Sequence, residues 1–205
     1  MNIALWLERI AVTAGARPAL MLGADVVADY ARFRDRAAGV GAALAERGIA
    51  PGDRVALFMK NCPDYLVALY GIWFAGAAAV PVNAKLHGRE AAWILQASGA
   101  KLGFVTPDPG AALAAETQVS LVDVTGTEFA GMAGGTGGAP VPRAPGDLAW
   151  LFYTSGTTGK PKGVQITHGM LAATSLSYPL DVDDVRPGDA AYYAAPMSHG
   201  AGIYA

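Results

Sequence analysis

Apolar residues along this chain recur first at helical and then at strand spacing. Ile3, Leu7 and Ile10 share one helical face. Ala19–Leu22 and Val26–Ala28 flank Gly23-Ala24, which predicts a small hairpin. Asp29 stands where a carboxylate can accept an orphan N–H at a helix start. Tyr30, Phe33, Ala37, Val40 and Leu44 follow at spacings of three and four, and Gly48 stops that helix. Pro51-Gly52-Asp53 then turns the chain into Arg54-Val55-Ala56-Leu57-Phe58-Met59, an apolar strand bounded by turn residues.

The pattern repeats. Pro63 opens a second helix, where its missing N–H costs nothing, and Gly76 ends it. A buried strand is expected over Ala78–Val82, then a helix over Gly88–Ser98 that turns Ala92, Trp93 and Leu95 inward and stops at Gly99. Leu102–Val105 and Ser120–Val124 are further strands. Parallel strands need crossovers of a dozen or more residues, so this alternation predicts an α/β fold with parallel-rich sheets flanked by helices. Residues 131–147 hold six glycines and three prolines, too costly in backbone entropy for an element interior, and read as a flexible connector. The chain therefore divides into an N-terminal α/β subdomain (1–130), a Gly/Pro-rich linker (131–147) and the incomplete start of a next subdomain (148–205).

Composition narrows the class. Of 205 residues, 53% are hydrophobic and 16% charged, which excludes extended disorder. The net charge is -2 and no single-sign blocks occur, which argues against an electrostatic grip on nucleic acid. Cys62 is the sole cysteine, so no internal disulfide forms, and three histidines beside it show no zinc spacing. Tyr65–Ala84 is twenty residues without a charge, but Gly71, Gly76 and Pro81 interrupt it. A helix from Pro63 to Ala75 would span about 20 Å, short of the roughly 30 Å of a bilayer core, so no membrane span is expected. The first residues reach Glu8 too soon for a signal peptide. These features predict a soluble, cytoplasmic protein.

Chemistry concentrates after the linker. The apolar run Leu148–Tyr153 leads into Thr154-Ser155-Gly156-Thr157-Thr158-Gly159-Lys160-Pro161-Lys162-Gly163, with a short strand at Val164–Ile166 and a Thr167 cap beyond. Glycines let backbone N–H groups approach an oxyanion closely, and four hydroxyls add donors. Lys160 and Lys162 are two of only five lysines. A Walker A loop starting at Gly156 would need its second glycine where Pro161 stands, and no Gly-x-Ser-x-Gly elbow surrounds any serine. A polar loop that merely joins two strands is the structural alternative. Farther on, His199 could orient backbone at a strand end, while His87 and His168 read as a loop residue and a first-turn residue. Asp181, Asp183 and Asp184 read as a solvated turn, and Cys62 as a packing residue or cap neighbour.

The segment Tyr153–Gly163 closely resembles the signature loop of the adenylate-forming superfamily, which includes acyl-CoA synthetases, peptide-synthetase adenylation domains and luciferase-type enzymes. Asp53-Arg54-Val55-Ala56, Asn61-Cys62-Pro63-Asp64-Tyr65, Ala79-Val80-Pro81-Val82-Asn83 and Ser98-Gly99-Ala100-Lys101 resemble its N-terminal landmarks. Thr167-His168 resembles its helix start, and Ala195–Gly202 its Pro-x-x-His-x-x-Gly segment.

The resemblance implies the N-terminal part of that fold and an AMP-forming acyl-CoA synthetase, an acid–thiol ligase of the kind used in fatty acid metabolism. A carboxylic acid is activated by ATP as an acyl-adenylate, then passed to a thiol, usually that of coenzyme A. It implies that Thr154, Ser155, Gly156, Thr157, Thr158, Gly159, Lys160 and Lys162 hold the ATP phosphates, with Mg²⁺ sharing the charge, and that His199 lies at the acyl-substrate pocket. No metal ligand is assigned to this chain. The family's downstream Tyr-Gly-x-Thr-Glu segment, ribose-binding acid, hinge and catalytic lysine do not occur in these residues. The expectation is an N-terminal fragment with no complete catalytic set, inactive alone and prone to self-association through its apolar end. A stand-alone phosphate- or nucleotide-binding module and a peptide-synthetase adenylation domain are the alternatives.

Overall fold

The structure is a computed structural model, and it describes residues 1–154 and 161–200. In chain order the elements are α1 (Leu5–Ala14), β1 (Pro18–Leu22), β2 (Asp25–Asp29), α2 (Tyr30–Glu46), β3 (Arg54–Phe58), α3 (Pro63–Phe74), β4 (Ala78–Pro81), α4 (Gly88–Ser98), β5 (Ala100–Val105), α5 (Pro107–Ala114), β6 (Ser120–Asp123), α6 (Thr127–Gly134), β7 (Leu148–Thr154), β8 (Lys162–Thr167) and α7 (His168–Asp181). β1 and β2 form the expected antiparallel hairpin. The other six strands make one sheet in the order β6-β5-β3-β4-β7-β8. Every pairing in it is parallel except β7 with β8. The α/β class is as the sequence predicts, in a mixed sheet flanked by helices.

Strand alternation divides the core between two faces. Val55, Leu57, Ala79, Phe104 and Trp150 pack with α2, α3 and α6, whereas Ala56, Phe58, Val80 and Val82 pack with Ala91, Ile94, Leu95 and Leu113 of α4 and α5. The uncharged run 65–84 is thus a buried helix and strand, and among the described residues no helix is long and apolar enough to cross a membrane. α2 and α3 cross at glycines. A Cβ on Gly71 would stand 2.4 Å from Val40 Cγ1, and one on Gly41 would stand 2.7 Å from Phe74 Cβ.

Several local expectations hold. Asp29 caps α2 by accepting from the Arg32 N–H at 2.7 Å, and Thr167 caps α7 by accepting from the Met170 N–H at 3.2 Å. Others do not. Leu95 faces inward as expected, but Trp93 is 36% exposed, and Ala91 and Ile94 complete the inward face of α4 instead. His87 is the N-cap of α4: its Nδ1 accepts from the Arg89 N–H, while Glu90 accepts from the His87 N–H at 3.0 Å. α6 occupies Thr127–Gly134, although its end is glycine-rich, because Phe129, Met132 and Ala133 bury against the core. That burial outweighs the propensity cost of two glycines. Beyond it the Gly/Pro-rich segment lies against α2 and α3. A Cβ on Gly137 would stand 2.0 Å from Ala38 O, and the Val141 N–H donates to Phe74 O at 2.9 Å.

The amino-terminal segment is pinned to this segment and to α7. Asn2, 1% exposed, donates from Nδ2 to Trp73 O at 2.6 Å and Val141 O at 2.9 Å. His168 is fully buried, and its Nδ1 accepts from the Ile3 N–H at 3.2 Å. Burial lowers its pKa from 6.5 to about 4; Arg143 and the amino terminus push the same way, and Asp147 opposes them. The ring is therefore neutral, with its proton on Nε2. It is a structural anchor more deeply buried than a first-turn position suggests.

Candidate functional site

In open α/β sheets, ligands bind beyond the carboxyl ends of the parallel strands, because loops there converge where strand order reverses. Here β4 lies on one side of β3 and β5 on the other, so the order reverses beside β3. The carboxyl ends of β3, β4, β5 and β7 deliver Lys60-Asn61, Val82-Asn83, Thr106 and Thr154 to one edge. Lys60 is tied in place there: its N–H donates to Thr106 Oγ1 at 3.1 Å, and its ammonium pairs with Asp108.

The phosphate-loop candidate begins and ends at this edge. Thr154 closes β7, Lys162 opens β8, and the two are direct partners in the antiparallel ladder. Thr154 is half-buried and Lys162 exposed. Ser155, Gly156, Thr157, Thr158, Gly159 and Lys160 lie outside the described residues.

Residues 193–200 return to the same edge. The Asn61 carboxamide donates to Tyr193 O at 3.1 Å and Ala195 O at 2.8 Å, and accepts from the Met197 N–H at 2.9 Å. Met197 and Ser198 are buried, at 8% and 3% exposure, and the His199 N–H donates to Pro196 O at 3.0 Å. The half-buried His199 ring meets Phe152 edge-on, with centroids 5.7 Å apart. Phe152 precedes Thr154 by two positions, so both project from the same face of β7. The structure thus sets His199 against Phe152, two positions before Thr154 on the strand whose last residue pairs with Lys162.

Two groups here carry no signal in the sequence. Asn61 stands within the family-like run Asn61–Tyr65, and nothing local signals where its amide would go. Phe152 reads as a strand residue until His199 is placed against it. Cys62 is the half-buried N-cap residue of α3, and burial pushes its thiol pKa up, away from nucleophilic use. Asp184 is paired with Arg186, whose N–H is held by Asp189 at 2.7 Å. Two surface hollows of about 600 and 590 Å³ lie between α2 and Ala133–Gly137 and between α4 and Glu116–Val119. Neither is lined by Thr154, Lys162 or His199, and in the first Arg34 and Arg36 are already paired with Glu8 and Asp64.

With this geometry in view, comparison with known proteins settles the class: the chain belongs to the AMP-binding enzyme family, which it matches over residues 7–205. It is 34% identical over 174 residues to a feruloyl-CoA synthase from Amycolatopsis sp, covering 85% of this chain and 35% of that protein. It is 35% identical over 170 residues to phenyloxazoline synthase MbtB from Mycobacterium sp. (strain MCS), covering 82% of this chain and 14% of that one. The N-terminal domain of FACL13 from Mycobacterium tuberculosis, solved with an inhibitor, superposes with a TM-score of 0.86 at 29% identity, covering 99% of this chain and 54% of that domain. The chain spans about a third of feruloyl-CoA synthase and about half of the FACL13 domain.

Proposed function

We propose that this chain is the N-terminal part of an ATP-dependent carboxylate–CoA ligase, supplying its pyrophosphate grip and one wall of its acyl site. The observation that supports the reading is the contact of His199 with Phe152, two residues before Thr154, which pairs with Lys162 at the base of the phosphate loop. In the first step a carboxylate oxygen attacks the α-phosphorus of ATP, and the bond to the β-phosphate oxygen breaks to release pyrophosphate. Negative charge accumulates on the leaving group. Hydroxyls of Thr154, Ser155, Thr157 and Thr158, backbone N–H groups around Gly156 and Gly159, and the Lys160 and Lys162 ammonium groups are donors of the kind that stabilise it. In the second step a thiol sulfur attacks the acyl carbonyl of the mixed anhydride, and AMP leaves.

His199 would sit beside the substrate carboxylate at the start of the acyl pocket. Mg²⁺ would be held by the ATP phosphates and would share the charge that builds on pyrophosphate. ATP–pyrophosphate exchange with a panel of carboxylic acids, followed by thioester formation with coenzyme A, tests the reading. Exchange that no acid stimulates in the longest in-frame protein would refute it. A second reading, the adenylation domain of a peptide synthetase, draws support from the 35% identity to phenyloxazoline synthase. Acyl transfer to a carrier-protein thiol in preference to coenzyme A would select it.

A further inference from the structure

Asn61 stands three residues beyond the end of β3 and immediately before the α3 N-cap, Cys62. Asparagine next to a helix start usually spends its side chain on the helix. This one does not. All three of its hydrogen bonds go to backbone 132–136 residues away, at Tyr193, Ala195 and Met197. Both Nδ2 protons are used and Oδ1 accepts once, so the amide orientation is fixed: a flipped amide would set its oxygen against two carbonyls.

The receiving segment has few ways to hold itself. Pro196 has no N–H to give, and the segment forms no ladder with the sheet. Asn61 supplies the partners a neighbouring strand would otherwise provide, on both sides of Pro196. From there the connection to the site is short. The Met197 N–H is held at 2.9 Å, the Met197 side chain is buried, and Pro196 O accepts from the His199 N–H. His199 then rests on Phe152.

We propose that Asn61 is a positioning residue of the acyl-substrate site: its carboxamide sets the backbone of residues 193–197 and, through it, the place of His199. The proposal rests on the reading that His199 lines the carboxylate-binding region, and it adds a residue that acts through the backbone of residues 193–197. Asn61→Ala removes all three bonds. Asn61→Asp keeps the size but turns acceptor oxygens on the Tyr193 and Ala195 carbonyls.

Both variants of the intact protein are compared with wild type in three measurements: hydrogen exchange at the Met197 amide, KM for the carboxylic acid and KM for ATP in pyrophosphate exchange, and thermal midpoint. Misplacement of a binding group by about 1 Å can cost up to roughly a hundredfold in rate. The expected result is Met197 exchange faster by about tenfold or more, as for an amide released from a native hydrogen bond. KM for the acid should rise at least about tenfold while KM for ATP stays within about twofold. Asn61→Asp should be no better than Asn61→Ala. Unchanged Met197 exchange, or faster exchange with an unchanged KM for the acid, overturns the proposal. An equal rise in both KM values with a fallen thermal midpoint also overturns it, since that pattern marks a general structural role. If wild type itself shows no acid-dependent exchange, the ligase reading fails, and Met197 exchange still decides whether Asn61 fixes the segment.

Discussion

Lowering the pH from 7 to 5 should cost this protein about 1–2 kcal/mol of stability through one side chain, His168. Its imidazole is fully buried and accepts the Ile3 N–H, so the folded state favours the neutral ring and its pKa falls from 6.5 to about 4. A gap of that size corresponds to roughly 3 kcal/mol of preference for the neutral form. Part of it comes from the charges of Arg143 and the amino terminus, and Met1 is exposed, so solvent screening brings the figure to about 2 kcal/mol.

Because the folded pKa is depressed, the contribution is fully present above 6.5. It is lost as pH falls toward 4, where the unfolded chain has already taken up the proton. Asp53 and Asp108, held below their ordinary 3.8, stay ionised above pH 5 and add no slope in that window. Urea denaturation at pH 5, 6 and 7 reads the effect directly. His168→Asn keeps an acceptor for Ile3 but does not titrate, so its stability should be flatter by the same 1–2 kcal/mol. An identical slope in wild type and variant, or an imidazole that titrates near 6.5 by NMR, would refute the reasoning.

Replacing Lys160 and Lys162 together by Ala should slow adenylate formation by about 10²–10³-fold, the scale of losing a preorganised charge-stabilising donor, while urea stability changes by no more than about 0.5 kcal/mol. Normal pyrophosphate exchange would remove the loop from the chemistry. Gly71→Ala should destabilise by about 1–3 kcal/mol in the same denaturation assay, because the new methyl meets Val40 at 2.4 Å where α2 and α3 cross; wild-type stability would show that the helices separate freely. The 205-residue chain alone should self-associate in size-exclusion chromatography, since Leu176, Leu180, Val182, Val185 and Tyr192 are 57–91% exposed. A clean monomer at high concentration would contradict that.

Local chemistry made much of this fold legible from the sequence alone. The Asp29 and Thr167 caps, the Pro63 helix start, the Gly23-Ala24 hairpin and the β3–α3–β4 repeat depend on residues within a few positions of one another, so spacing reports them. The Thr154–Lys162 loop was visible for the same reason: its chemistry is contiguous. Tertiary packing decided the rest. α6 exists because Phe129 and Met132 find the core, not because its glycines favour a helix. Trp93 faces outward because the helix settles on Ala91, Ile94 and Leu95, a rotation the apolar pattern of α4 left open. His168 takes its depressed pKa from burial first, then from the charges of Arg143 and the amino terminus, neither of them near it in sequence. Asn61 reaches Met197 across 136 positions. An amide carries no local mark of its partner, and only the folded sheet, by stacking the ends of β3 and β7 along one edge, supplies it.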